Sequence, residues 1–179
     1  MKTLKDRIQW AHNGGRVVRF HQHIGHRMDT DARHSHGVAM MTLFLSEGIP
    51  SSNLLLAALS HDLAEQCVGD VPFPTKRSLP GLREHLDGVE RDWLRRYDLD
   101  FPLTEDERHI LSLADSLDGM LYCASEAALG NRTLHVVYVK WLAVVEGAGR
   151  TAVQTEAINA VIDIYKESYN GKTYDAAKV

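Results

Sequence analysis

The sequence predicts an all-α protein folded as a single-domain helical bundle. Three observations predict it. Apolar residues recur at three- and four-residue spacing through most of the chain. Two of these segments open on a threonine with an acid three residues later, Thr3 with Asp6 and Thr104 with Glu107, the pattern of a capping box. No β-type alternation is sustained, no repeat is present and no linker divides the chain.

The elements follow in order. "TLKDRIQWAH" forms a first helix from Thr3, stopped by "NGG". A second runs through "RHSHGVAMMTLFLSEG", where Val38, Met41, Leu43 and Leu45 offer apolar surface and Gly48 and Pro50 end it. Ser51 or Ser52 caps a third, "NLLLAALSHDLAEQCV". A proline-rich loop leads to a polar helix, "LREHLDGVERDWLRRY", and Thr104 opens the long segment "EDERHILSLADSLDGMLYCASEAAL", which Gly130 stops. Two more helices are expected over 134–147 and 150–168. The domain is expected to span residues 1–170, with 171–179 a frayed tail. Met40, Met41, Met120 and Cys67 read as core, and His12, His85, His109 and His135 as surface.

Composition narrows the function classes. The chain has 179 residues, enough for one domain with one sizeable core. Hydrophobic residues make up 44% and charged residues 25%, ordinary for a soluble globular protein. A formal net charge of -4 offers no bulk attraction for polymeric nucleic acid. The two cysteines, Cys67 and Cys123, form no CxxC pair, which fits a reducing compartment. The polar start "MKTLKDRIQW" is no signal peptide, and no apolar run reaches the length of a membrane span. A cytoplasmic protein with no membrane partner is expected.

The chemistry lies in titratable groups set on helices. His34 falls just inside the second helix, His61 and Asp62 near the end of the apolar run of the third, and Asp115 inside "LADSLDGML". Together they make a two-imidazole, two-carboxylate set, suited to a divalent transition metal such as zinc, cobalt or manganese. Adjacent residues on a helix point about 100° apart, so His61 and Asp62 can both reach an ion between them. Glu65 lies four residues from His61 on the same face, placed for general-base work or for orienting water. Asp70 follows a glycine and can hold a further polar partner, whereas Asp118, three residues from Asp115, is a less favoured neighbour on that face. His36 points to a different face from His34.

This pattern resembles the HD-domain metal-dependent phosphohydrolases. "HDLAEQCVGDVPFPTK" is similar to the bacterial 5'-deoxynucleotidase branch, whose string carries HD, a glutamate three after the Asp, Gly-Asp, two prolines and a lysine. "ADSLDGMLYCASEAALGN" and "RFHQ…RHSHGVA" resemble the same branch, so the likeness runs from about Arg19 to Asn131. The "GGRVVRFH" opening and compact length look closer to a phage subset that includes dATP triphosphohydrolases. The resemblance implies metal ligation by His34, His61, Asp62 and Asp115, and an acid/base or water-positioning role for Glu65. It further implies phosphate binding by Arg19 and Lys76, stacking of Phe20 on sugar or base, a polar contact in the site from Asp70, and a homo-oligomer. The chain departs from the branch at Phe20-His21, where the family has Trp-Pro; base selectivity then falls to the pocket around Phe20 and Gln22.

The expected reaction is hydrolysis of the 5'-phosphoester of a deoxynucleotide. A triphosphate substrate is favoured because His21, His23, His26, Arg27, Arg33 and Arg77 surround the phosphate residues. The alternatives are a 5'-deoxynucleotidase acting on monophosphates and a metal-stabilised module without catalysis. Structural zinc sites favour cysteine and closed coordination, which weighs against the module.

Overall fold

The helices begin where local hydrogen bonds can start them. The structure, a computed structural model, describes residues 2–171 and, within these, all side chains but those of Phe73, Pro74 and Arg77. The expected tail, apart from Gly171, lies outside the described residues. α1 (Leu4–Gly14) opens on the Thr3 box, with the Asp6 N–H donating to Thr3 Oγ1 at 3.1 Å and the Thr3 N–H to Asp6 Oδ2 at 3.0 Å. β1 (Val18–Arg19) and β2 (Asp29–Thr30) pair antiparallel and close the loop between them. Thr30 then caps α2 (Asp31–Leu45), and Ser51 caps α3 (Ser52–Ser60) by accepting from the Leu54 N–H at 3.1 Å. α4 (Glu65–Val68), α5 (Phe73–Ser78) and α6 (Leu82–Arg96) follow. α7 (Glu105–Ala128) opens on the Thr104–Glu107 box, and α8 (His135–Val145) and α9 (Ala152–Tyr169) complete the order.

α7 is the central helix, with α2, α8 and α9 packed around it and α3 against α2. Leu113, Leu117 and Met120 of α7 meet Val38 and Leu45 of α2, Tyr138 of α8, and Ile158 and Val161 of α9 in one apolar core. A separate small cluster joins Trp10, Leu63, Ala64 and Tyr97, with Trp10 and Tyr97 stacked at 4.2 Å between ring centroids. That cluster fastens the segment after α3 to α1 and α6. Among the described residues, no helix is long and apolar enough to cross a membrane.

The bundle agrees with the expected fold class, and four details correct the expected elements. The third helix stops at Ser60 rather than running on through Glu65. Residues 61–65 tighten into three-residue turns, with the Leu63 N–H donating to Ser60 O at 3.1 Å and the Glu65 N–H to Asp62 O at 2.9 Å. The redirected chain places Leu63 and Ala64 against Trp10 and Tyr97, a packing gain that overrides local helix preference. The β1–β2 ribbon is too short to leave an alternation signal. The proline-rich loop contains α5, with Pro72 as its N-cap at an extended ψ of 140°. Met40 and Cys67 are exposed, Met40 because α2 turns Val38 and Thr42 inward instead.

Candidate metal and substrate site

α2, the turn after α3, and α7 bring the expected metal set to one place. His34 is completely buried, and its Nε2 lies 3.0 Å from Asp115 Oδ1 and 3.5 Å from Asp62 Oδ2. The His61 ring sits 5.3 Å from it between centroids, with Nε2 3.3 Å from Asp62 Oδ1. The break after Ser60 turns His61 and Asp62 toward the same space. His34, His61 and Asp115 offer one ligand atom each within 4.8 Å of one another, and Asp62 makes a second such group with Asp31 and Glu65. Asp62 therefore stands between the two groups rather than simply completing the first.

The donor set suits a divalent cation. Both Nε2 atoms are buried without a well-aligned hydrogen-bond partner, as are the two oxygens of Asp31 and Glu65 Oε2. Buried polar atoms left in this way are costly unless a ligand or ion satisfies them. Each histidine already commits its other nitrogen: His34 Nδ1 lies 2.7 Å from Asp118 Oδ2, and His61 Nδ1 lies 3.0 Å from the Ala58 carbonyl. Imidazoles held by Nδ1 present Nε2, the arrangement of nitrogen ligands to a metal.

The charges divide two neighbouring carboxyls. Burial works against ionisation of Asp62, but His61, Arg19, His34 and Lys76 hold it well below the usual carboxylate range. Glu65 is pushed well above that range, first by burial and then by Asp62, with Arg19 opposing. Asp31 rises to about 7, again chiefly through burial. Burial favours neutral His34, yet Asp115 and Asp118 raise it to about 9. Carboxyls pushed apart in this way are suited to different proton roles.

A cleft of about 600 Å³ opens beside these groups, lined by Arg19, Asp62, Glu65, Lys76, Asp115 and Trp141 among others. Its size is that of a small-molecule site. Arg19 ion-pairs with Asp62 and reaches Asp31 at 3.8 Å. Lys76 Nζ lies 3.9 Å from Glu90, and Asp70 lies 3.5 Å from His21 Nδ1. Gln22 and Phe20 also line the cleft. Phe20 stacks on Tyr122 at 4.6 Å and holds a left-handed φ of 53°, so one of its faces is already covered. Phe20 sits in a loop clamped from α7: Glu126 accepts from the His26 N–H at 2.7 Å and the Arg27 N–H at 3.0 Å, and Asn131 donates to Ile24 O at 2.7 Å. This accounts for buried Glu126 in the last turn of α7 and buried Asn131 just beyond it.

The expected basic cluster is divided. His21 and His23 line the cleft. His26 and Arg27 are exposed, and Arg33 is spent on Asp29 and Asp118, reaching the latter at 2.8 Å. Arg77 lies outside the described side chains. Arg83 and Lys140 line the cleft instead. Sequence reading also missed Asp31, Asp29 and Trp141 and ranked Asp118 low. The signals were present: Asp31 and His34, like Asp115 and Asp118, are three apart on one helix face, and Asp29 and Arg33 are four apart.

Comparison with known proteins agrees with the resemblance. Residues 15–98 match the family model of 5'-deoxynucleotidase YfbR-like proteins. No curated protein matches the chain. The fold is that of an HD-domain phosphohydrolase from Listeria innocua, at 20% identity and TM-score 0.77, covering 93% of this chain and 92% of that one. It also matches the cyanophage S-2L HD phosphohydrolase DatZ, bound to dA and one catalytic Zn²⁺ ion, at 19% identity and TM-score 0.67, covering 93% and 98%. The PH0347 protein of Pyrococcus horikoshii OT3 matches at 21% identity and TM-score 0.68, covering 91% and 99%. At these identities the likeness to solved structures is one of fold.

Proposed function

We propose that this chain is a divalent-metal-dependent phosphohydrolase that cleaves the 5'-phosphoester of deoxynucleotides. The observation that carries the reading is the convergence of His34 Nε2, His61 Nε2 and Asp115 at the side of a cleft that also holds Arg19 and Lys76. His34, His61, Asp62 and Asp115 would hold zinc, cobalt or manganese. What such a cation supplies is polarisation of a phosphoryl oxygen and a lowered pKa for the attacking water. Water adds to phosphorus as the P–O5' bond breaks; the water loses one proton and the 5'-oxygen gains one. Glu65, buried and raised in pKa, is the carboxyl placed to move that proton. Arg19 and Lys76 offset charge on the phosphoryl oxygens. Asp70 orients His21 at the rim, and Gln22, Phe20 and Trp141 border the space for sugar and base.

Mono- and triphosphates would be cut at the same bond. Arg83 and Lys140 on the cleft wall favour the triphosphate, giving deoxynucleoside and triphosphate. The match to a 5'-deoxynucleotidase family model favours the monophosphate. Product analysis with cobalt or manganese and every deoxynucleoside mono- and triphosphate separates them. Released triphosphate supports the first version, and phosphate from monophosphates alone ends it. No hydrolysis of any deoxynucleotide by metal-loaded protein would sink both. A homo-oligomer belongs to the same proposal; Met40, Phe44 and Leu59 leave apolar surface exposed on α2 and α3, and sedimentation would show a single chain if the idea is wrong.

A further inference from the structure

We infer that Asp118 is the positioning residue that aims His34 at the metal, and that Gly37 exists in α2 to give it room. The inference rests on the reading of His34 as a ligand. A buried imidazole has two nitrogens, and ligation through Nε2 requires the proton to sit on Nδ1. Asp118 Oδ2, 2.7 Å from Nδ1, is the acceptor for that proton. Asp118 touches neither the cleft nor the other expected ligands; it acts through His34.

Asp118 is itself held in place. Arg33 Nη2 donates to Asp118 Oδ2 at 2.8 Å, and the Nε of the same guanidinium is bound by Asp29, whose side chain is wholly buried. One residue of α2 therefore braces the carboxylate that orients the next residue of that helix. On α7, Asp115 and Asp118 are three apart, so a single helix supplies both the expected ligand and the orienting group at a separation set by helix geometry. His61 is served differently, by the neutral carbonyl of Ala58.

Gly37 supplies an independent observation. It lies three residues after His34 in mid-α2, where glycine costs about 1 kcal/mol against alanine. A Cβ at this position would overlap the Asp118 carboxylate, lying 2.6 Å from its Cγ. The φ of Gly37 is not in the left-handed region, so the backbone does not demand glycine. The closeness of Asp118 does.

The test is Co(II) titration of chelator-treated protein, followed by visible absorption and calorimetry, with metal-free thermal unfolding recorded for each variant. Wild type binds Co(II), and His34→Ala abolishes or severely weakens binding. Asp118→Ala lowers affinity about 10- to 100-fold and alters the cobalt spectrum. Asp118→Asn, whose amide oxygen still accepts from Nδ1–H, recovers most of both. Gly37→Ala retains every polar group and improves helix propensity, yet shifts affinity and spectrum in the direction of Asp118→Ala. Gly37→Ala also decides the matter should Asp118→Ala fail to fold. Wild-type affinity and spectrum in Gly37→Ala and in any folded Asp118→Ala would overturn the positioning role alone. Absence of Co(II) binding by wild type, or unchanged binding by His34→Ala, would overturn the ligand reading and this inference with it.

Discussion

The two histidines that face one point are held by opposite means. On the α2–α7 side, His34 is buried among charged side chains: Asp118, Asp115, and Arg33 braced on Asp29. On the other side, His61 rides a backbone turn, tied to the Ala58 carbonyl and fastened by apolar packing of Leu63 and Ala64. Gln66 reinforces that turn, its amide donating to Trp10 O at 3.0 Å and Leu63 O at 2.8 Å. The difference teaches where precision comes from. Long-range charged contacts orient a ring rigidly where two long helices meet, whereas a tight turn positions ring and carboxylate together through the main chain. Damage to the first side should appear in metal binding, and damage to the second in stability.

Removing the metal should have the largest effect, because it empties both sides at once. Treatment with a chelator should abolish hydrolysis, and cobalt or manganese should restore it. Far-UV circular dichroism should stay helical, since the apolar core of α2, α7, α8 and α9 is separate from the ligands. A chelated protein that keeps its full turnover would contradict the metal reading.

Glu65→Gln comes next. It spares both histidines and should cut turnover by about 10²- to 10⁴-fold while Co(II) binding persists. Unchanged turnover would remove Glu65 from proton transfer.

Trp141→Ala probes the aromatic lining of the cleft. The Trp141 ring lies against Gly119, where an added Cβ would come within 2.7 Å of it, so the ring is seated tightly. Loss of a stacked base contact is worth about 1–3 kcal/mol, and KM should rise more than kcat falls. Equal losses in both parameters, or none, would place the base elsewhere.

Gly14→Ala tests the turn directly. A Cβ at Gly14 would lie 2.6 Å from Leu63 Cδ2 and 3.1 Å from Leu63 O, so urea unfolding should show a loss of about 1–3 kcal/mol. Its counterpart Gly37→Ala forces the buried Asp118 carboxylate aside and should also lose stability, but it alone should weaken Co(II) binding, which Gly14→Ala should leave near the wild-type level. Equal Co(II) affinities in the two variants would erase the proposed contrast.

Glu126→Gln should be the mildest, at about 1 kcal/mol near neutral pH. Burial opposes ionisation of Glu126, but Asn131 and the His26 and Arg27 N–H groups hold it below the ordinary glutamate range. A lowered folded-state pKa contributes stability that is complete above the unfolded value and lost as pH falls through the folded one. The difference between wild type and Glu126→Gln should therefore shrink on acidification; a gap that stays constant or widens would contradict this clamp.

Local signals were legible where both partners lie within one turn. The Thr3–Asp6 and Thr104–Glu107 boxes and the Ser51 cap each need only three residues of sequence. The chemical types of His34, His61, Asp62 and Asp115 were legible too, as was their placement on or beside helices. The break at His61 was not, because "NLLLAALSHDLAEQCV" has continuous helix preference and the opposing force comes from Trp10 and Tyr97, distant in sequence. Asp118 was undervalued for a similar reason. Its spacing from Asp115 was visible, but its partners His34 and Arg33 lie across the bundle on α2.

By itself, then, the sequence determined the longer helices, their starts and the kinds of groups available to a metal and a phosphate. These follow from hydrogen bonds and periodicity within a few residues. Only the tertiary structure decided which carboxylate faces which nitrogen, that Arg33 serves Asp29 and Asp118, and that Trp141 borders the cleft. Those outcomes depend on how α2, α7 and α8 pack, and packing is chosen by the whole core at once, not by any one segment.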